Sequence, residues 1–311
     1  MPLDLLVPDL LPSSDAPPAL EKWLARADCV RNAGGGAARA LASLFGVGEP
    51  APYAALSLAG EPSAPAYAGS TWLRADPVHL RVDHDYLRLH DASALEVTRE
   101  EADALVASLQ AHFAGDGLEF RAVAPERWYV RVPEGALPRT TPLADAIGRD
   151  VFGMLPAAGG PINWRSAITE AQMMMGAHEV NARREAAGQP AINSVWFWGE
   201  GTAPATIERR FARVHANDVI ARGLGALSGA ELRPAPAKLA EVETTTGAVL
   251  VVPDAPAARF DADWFAPLGE AIGKFGTVRL ILPTGNETVV ATLTPASRWR
   301  WFRGRRSLAD A

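Results

Sequence analysis

The chain has 311 residues, 48% hydrophobic and 21% charged, with a formal net charge of −6. That composition gives room for a sizeable core in one or two domains and argues against a bulk nucleic-acid binder. A single cysteine, Cys29, excludes an internal disulfide and a cysteine-based zinc site, and fits a reducing compartment.

In chain order, MPLDLLVPDLLPSSDAPP lacks a basic leader and is interrupted by Asp4, Pro8 and Asp9, so it is not read as a signal peptide. No stretch reaches the roughly 18 apolar residues of a membrane span, and a cytoplasmic protein is expected. LDLLV (3–7) predicts a buried strand of an α/β sheet, and PPALEKWLARA a helix with proline in its first turn. NAGGGAARALASLFGVGEP reads as a triple-glycine loop and a short helix, and 49–70 as a Pro/Ser loop. PVHLRVDHDYLRL then alternates, with Val78, Leu80 and Val82 on one face, and predicts an antiparallel hairpin.

VTREEADALVASLQAHF predicts a helix with a Thr98/Glu101 capping box and Ala102, Leu105, Val106, Leu109 and Phe113 on one face. RWYVRVP alternates as a strand, and WRSAITEAQMMMGAHEVNARREAAG reads as one long helix stopped at Gly188. AINSVWFWGEG (191–201) predicts a short strand with Val195 and Phe197 on one face, Trp196 and Trp198 on the other, and a tight turn at Gly199 and Gly201. From 213, strands ARVHA, AVLVVP and TVRLILP alternate with helices NDVIARGLGALSGA and DADWFAPLGEAIGKFG, which implies a mostly parallel sheet. An α/β start, an α+β middle and an α/β end predict one domain inserted in another: 1–73 with 205–311 as the core, 74–204 as the insert.

Four motifs each have a plainer reading beside the functional one. GGGAARA (34–40) has the glycines of a phosphate loop but no P-loop lysine and no GxGxxG spacing, so a turn before a helix is preferred. DHDYLRLHD holds Asp83, His84, Asp85, His90 and Asp91, metal-ligating types placed where the hairpin has to turn, and turns favour Asp on their own account. Met173, Met174 and Met175 are read as core packing. SRWRWFRGRR mixes five arginines with aromatic residues; a final edge strand and a solvated tail is preferred over a membrane or phosphate contact.

HEVNARREAAGQPAINSVWFWGEGTAP (178–204) resembles the cofactor-independent phosphoglycerate mutases of the archaeal type, through Asn181, Arg184, Gly188, Pro190, Asn193, Ser194, Trp196, Trp198, Gly199 and Gly201. LLVPDLL, ASLFGVGEPAPYAALSLAG, HLRVDHDYLRLHDASALEVTREEADALVASLQ and ARVHANDVIARGLGALSGAELRPAP follow the same family in order. The resemblance implies an alkaline-phosphatase-like, mostly parallel α/β core with an inserted α+β domain. It also implies two divalent metals, Mn or Mg, and a serine that carries the phosphoryl group.

Position by position, Asp9 matches the first metal-binding Asp. The serine falls near Gly36, Ala37 and Ala38, with Ser43 on the following helix. Asp254 is kept, but Arg259, Thr284, Gly285 and Leu293 stand where the family places its remaining Asp and His ligands. WLRADPVHLRVDHDYLRL and NSVWFWGEG also resemble a group of bacterial RpfE-type regulatory proteins.

Together these resemblances imply a catalytically degenerate, regulatory or ligand-binding relative. No cofactor is expected, and Asp9 is an unoccupied remnant. The ligand-cleft candidates are Asn181, Arg184, Asn193, Ser194, Trp198 and Glu200, with Arg184 as an anion contact; a hinge role for 191–201 and a solvated helix-end arginine are the plainer alternatives. The expected partner is a phosphorylated small molecule or a protein. Two alternatives stand beside this reading. One is an active metal-dependent phosphomutase or phosphohydrolase using Asp9, Asp254 and the 83–91 cluster. The other is a scaffold that contacts a protein or membrane through 298–306.

Overall fold

The structure is a computed structural model and describes residues 2–8, 17–63, 68–83, 86–91, 94–156, 161–255, 259–300 and 302–311. In chain order its elements are β1 (Pro2–Leu6), α1 (Pro18–Leu24), β2 (Asp28–Ala33), α2 (Ala37–Leu44), α3 (Tyr53–Gly60), β3 (Thr71–Asp83), β4 (Tyr86–His90) and α4 (Arg99–Phe113). There follow β5 (Glu119–Ala124), β6 (Arg127–Val132), α5 (Leu143–Ala146), α6 (Trp164–Gly176), α7 (Glu179–Ala186) and β7 (Ser194–Gly201). The chain ends with β8 (Arg213–His215), α8 (Val219–Leu227), β9 (Glu231–Arg233), β10 (Val249–Val251), α9 (Leu268–Phe275), β11 (Thr277–Pro283) and β12 (Glu287–Leu293). None of the described helices is long and apolar enough to cross a membrane.

The chain divides into two compact units, Met1–Glu49 with Thr206–Ala311, and Pro50–Ala205. Residues 50–73, placed with the outer unit on the sequence, group with the inner one. Two features account for this. Residues 53–60 are helix α3 rather than loop, and β3 runs unbroken through the expected boundary at 73/74.

The first unit is built on a seven-stranded sheet of order β2-β12-β11-β1-β10-β8-β9. β1 pairs in parallel with β10 and β11, β10 with β8, and β8 with β9; β12 and β2 are antiparallel additions. The expected mostly parallel α/β sheet is therefore present. β2, β9 and β12 were not foreseen: the first and last carry alternation too short or too polar to stand out beside their flanking loops.

Every second residue of the central strands enters one core. Leu3, Leu5, Val249, Val251, Val278 and Leu280 pack there with Leu20 and Leu24 of α1 and Leu268, Ile272 and Phe275 of α9. Burying a set of this kind contributes about 1.5–3 kcal/mol per large side chain. α2 and α8 pack with each other, α2 touching β11 and α8 touching β8. The expected helix at 261–276 is a π-turn, Asp261–Phe265, followed by α9.

The second unit carries a five-stranded sheet, β4-β3-β6-β5 with β7 on β3, and all its pairings are antiparallel. The capping box forms as expected: the Thr98 side chain accepts from the Glu101 amide, and Glu101 accepts from the Thr98 amide. All five residues of the foreseen apolar face of α4 are buried. The expected long helix at 164–188 is two helices. The break falls at Ala177–His178, where His178 Nδ1 accepts from the Val180 amide and starts α7. Gly188 does end α7, with φ +70°. Of the three methionines only Met175 is fully buried, and Met173 is exposed. The turn residues 84–85 lie outside the described residues.

The triple-glycine loop is a packing device. Gly34 and Gly36 donate backbone bonds to Asn286 and Thr284. A Cβ on Gly35 would lie 2.0 Å from the Thr284 carbonyl oxygen. Gly35→Ala is expected to cost about 1–3 kcal/mol through this overpacking. Gly48→Ala, where a Cβ meets open space, is expected to stay within about 0.5 kcal/mol of wild type; urea unfolding of both variants measures the contrast.

Candidate functional site

β7 divides its apolar side chains between two faces. Val195 and Phe197 enter the core of the second unit beside Trp164 and Phe120. On the other face, Trp196 donates to the Thr141 carbonyl at 2.9 Å and Trp198 to Asp76 Oδ2 at 2.7 Å. Gly199 and Gly201 do not close a turn. Trp198 pairs with Arg74 and Gly201 with Trp72, so β7 carries one extra residue against β3, a bulge. Gly199 adopts φ +71°, and a Cβ there would meet Ala54 and Tyr53 of α3 at 2.9 Å.

The polar residues of the mutase-like motif are engaged with the fold. Asn181 donates to the Met175 and Ile192 carbonyls at 2.7 and 2.9 Å and accepts from the Ile192 amide at 2.8 Å. Asn193 accepts from the Leu80 amide at 2.7 Å and donates to its carbonyl at 2.9 Å, continuing the β3–β7 ladder with a side chain. Ser194 is fully buried, its hydroxyl 3.4 Å from the Val195 carbonyl.

Arg184 is 2% exposed. Its guanidinium donates to both Glu101 oxygens at 2.9 Å, to the Pro190 carbonyl at 2.8 Å and to the Leu95 carbonyl. It is an internal clamp rather than an anion contact, because every edge of its fork is spent. Glu200 accepts from the Thr140 amide and hydroxyl.

Trp198 belongs to a buried polar cluster that the sequence did not announce. Arg74 and Asp76 lie two apart on β3 and so on one face, with Arg74 Nε and Nη2 donating to Asp76 Oδ1 at 2.9 and 2.7 Å. The Arg74 guanidinium stacks over Tyr129 and Trp198 at 4.9 and 5.4 Å from their ring centres. Tyr129 donates to Glu61 at 2.9 Å, and Arg127 Nε donates to the same carboxylate at 2.6 Å. Burial pushes the Tyr129 phenol above its ordinary range, so it remains a donor. Each charge here has a partner, which is the condition for burying it.

In parallel α/β sheets, ligands bind outside the carboxyl ends of the strands. In the first unit that edge presents Asn217, Asp254, Thr284 and Gly285, with His215 at the end of β8. Asn217 Nδ2 donates to Asp254 Oδ2 at 2.8 Å, and Thr284 Oγ1 donates to the Glu287 carbonyl at 2.8 Å, closing the β11–β12 hairpin. Asp218 caps α8 by accepting from the Ala221 amide at 2.7 Å. α2 begins at Ala37 with Gly36 as its cap, so no hydroxyl stands at its head.

Among the described residues no three His, Cys, Asp or Glu side chains converge as metal ligands. Asp9 lies outside the described residues. The described donors at this edge do not fit a pair of divalent ions, which need several oxygen or imidazole ligands each. His215 is buried, and its Nε2 has no hydrogen-bond partner. Burial is the main cause that lowers its pKa.

The segment after β12 is not an edge strand, but Arg298, Trp299 and residues 302–305 are exposed, as a solvated stretch would be. It forms a short 3-10 turn, Pro295–Trp299, and Leu308 and Ala311 are buried. Arg31 donates to the Leu308 and Ala311 carbonyls at 3.0 and 3.1 Å.

No protein-family model matches the sequence. The chain is similar to the 2,3-bisphosphoglycerate-independent phosphoglycerate mutase of Methanosarcina barkeri, 28% identical over 171 residues that cover 51% of this chain and 43% of the mutase. A probable enzyme of the same description from Geobacter sulfurreducens is 26% identical over 166 residues, 51% of this chain and 41% of the relative. The matched region thus spans less than half the length of these relatives. In fold, the chain is similar to a solved structure of a Pyrococcus horikoshii protein, with a TM-score of 0.51 at 12% identity over 94% of this chain and 87% of that one. The chain is phosphoglycerate-mutase-like in sequence, on a mixed α/β fold with a mostly parallel sheet and a separate antiparallel one.

Two outcomes follow from this geometry. Arg184→Ala removes the charge partner of Glu101, which keeps only its capping bond from the Thr98 amide, and the donor of two carbonyls, and is expected to cost about 3–5 kcal/mol in chemical unfolding. For His215, the native pKa lies below the unfolded one. Below the unfolded value the unfolded chain therefore binds the extra proton, and stability falls with pH from near 6.5 downward until the native group also protonates. His215→Gln is expected to flatten unfolding free energy measured between pH 7 and 5; an unchanged slope assigns the acid sensitivity elsewhere.

Proposed function

We propose that this chain is a catalytically degenerate relative of the phosphoglycerate mutases that acts by binding, as a regulatory protein of the RpfE-type branch. One observation carries the reading. Residues 1–49 and 206–311, which build the parallel-sheet unit, contain a single histidine, His215, and have alanine at 37 and 38 where the resemblance puts a nucleophilic serine. Two-metal phosphoryl transfer needs a nucleophile and ligands for both ions, and of the described side chains at the carboxyl edge Asn217 and Asp254 bond each other and Thr284 bonds the hairpin backbone, which leaves His215 alone with an open ring nitrogen. The proposed partner is a phosphorylated small molecule or a protein, with no resident Mn or Mg. A cytoplasmic setting goes with the free thiol of Cys29.

The test is turnover of 2- and 3-phosphoglycerate and of p-nitrophenyl phosphate by the full chain with Mn or Mg added. The expected rate equals that of the protein-free control. Metal-dependent turnover that disappears in Asp9→Ala overturns the reading and installs an active phosphomutase or phosphohydrolase in its place.

A further inference from the structure

The first unit has an open cleft of about 450 Å³ between α2 and the strands β2, β12 and β11. Its floor is apolar: Val30, Ile281 and Val290 come from three neighbouring strands, with Leu44 of α2 and Phe211 closing it. Val30, on the edge strand β2, is 59% exposed and lines this cleft. The polar lining consists of Arg39, Arg210, Arg279, Asn32, Ser43 and Thr288, and none of the lining residues is acidic. Three guanidiniums thus face the cleft, while the carboxylate that each one pairs with, Glu49, Glu208 and Asp4, is not among the lining residues.

The arginines are held in ways that leave them able to receive an anion. Arg39 stands 3.7 Å from Glu49, both about two-fifths exposed, and Arg210 stands 3.1 Å from Glu208 with that pair also exposed. Exposed pairs of this kind contribute little, so exchanging a carboxylate of the protein for one from a ligand costs little. Arg279 is fixed more firmly. Its Nε donates to Asp4 Oδ1 at 2.7 Å and its Nη2 to Asp4 Oδ2, and its Nη1 makes no hydrogen bond within the described residues. A guanidinium anchored on one edge and unspent on the other is a preorganised oxyanion donor.

We propose that this cleft binds a small organic anion, an oxyanion head of the carboxylate or phosphate-monoester type on an apolar body. The volume suits a ligand of that size. The apolar floor takes the body while the arginines take the head. The cleft lies on the α2 face of the sheet and reaches the carboxyl edge only through Ala33 and Gly34, and it does not rest on the proposed function: mutase turnover would remove that function and leave the face lined by Val30, Arg279, Ile281 and Val290 as it is.

The test uses 8-anilinonaphthalene-1-sulfonate, an apolar body with an anionic head, followed by fluorescence on the full chain. Octanoate, octyl phosphate and 1-octanol then compete for the site. Saturable binding displaced by either anion, and not by 1-octanol at the same concentration, is expected; the better anion identifies the head group. Arg39→Ala, Arg210→Ala and Val30→Glu are each expected to weaken binding about tenfold, the worth of one charge-assisted contact. The three positions lie on separate elements at the surface, so a variant that loses its circular-dichroism signature leaves the other two to decide. The proposal is overturned by absence of probe binding, by equal displacement with 1-octanol, or by folded variants that bind as wild type does.

Discussion

The first unit depends on one strand. β1 lies inside the sheet, and Leu3 pairs with Val249 on one side and Val278 on the other. Neither partner can be reached without the last third of the chain, so the core around Leu3 and Leu5 forms only when both ends have met. Closing so long a loop costs little more than closing a short one, because the entropy grows with the logarithm of length. It does require that Pro50–Ala205, which the chain must traverse in between, fold around a core of their own. They do: the cluster of Leu105, Leu109, Phe120, Trp128, Trp164 and Phe197 uses no residue of the first unit.

The same strand carries a charge. Asp4 is 1% exposed, and burial raises its pKa against the opposing pull of Arg279. Register explains why a carboxylate is tolerated there. Asp4 is the direct partner of Arg279 in the parallel ladder, so the guanidinium is delivered by the pairing that builds the sheet. The interaction that permits a buried acid in the central strand also fixes one edge of the arginine that lines the cleft. Scaffold and binding surface therefore share a single ion pair.

The second unit solves a similar problem on β3, whose thirteen residues pair with β4, β6 and β7 in turn. Arg74 and Asp76 occupy its interior, and their burial is offset by each other, by Trp198 Nε1 and by two aromatic faces. The tryptophans of β7 are then explained by position. One supplies a hydrogen bond to a loop carbonyl, the other a donor and a π-face to a buried ion pair.

Sequence patterns made visible what depends on neighbours within a few residues. The capping box at Thr98, the five-residue face of α4 and the strands at 213, 249 and 277 follow from local spacing. The break at His178 was hidden because the residue that interrupts the helix caps the next one with a side chain that looks ordinary in a helical run. Roles were harder to read than elements. Arg184 and Asn193 look like site residues in a motif, and only the positions of Glu101 and Leu80, many residues away, show that their hydrogen bonds are spent internally. The cleft was invisible for the complementary reason: Arg39, Arg210 and Arg279 come from three separate elements, and no motif joins them.

A fold can therefore keep its scaffold while its sites change, because the two draw on different residues. The sheet needs alternating apolar residues on β1, β10 and β11 and one matched charge pair. Phosphoryl transfer needs a hydroxyl and a ring of ligands at the strand ends, and nothing in the sheet's packing requires those. At the strand ends the side chains of Asn217 and Asp254 bond each other and that of Thr284 bonds the hairpin backbone. The sheet face beside α2 has another character: two guanidiniums in exposed pairs and a third held by Asp4 stand beside an exposed valine. The contrast is between paired side chains at the described strand ends and guanidiniums that face an open cleft on the sheet.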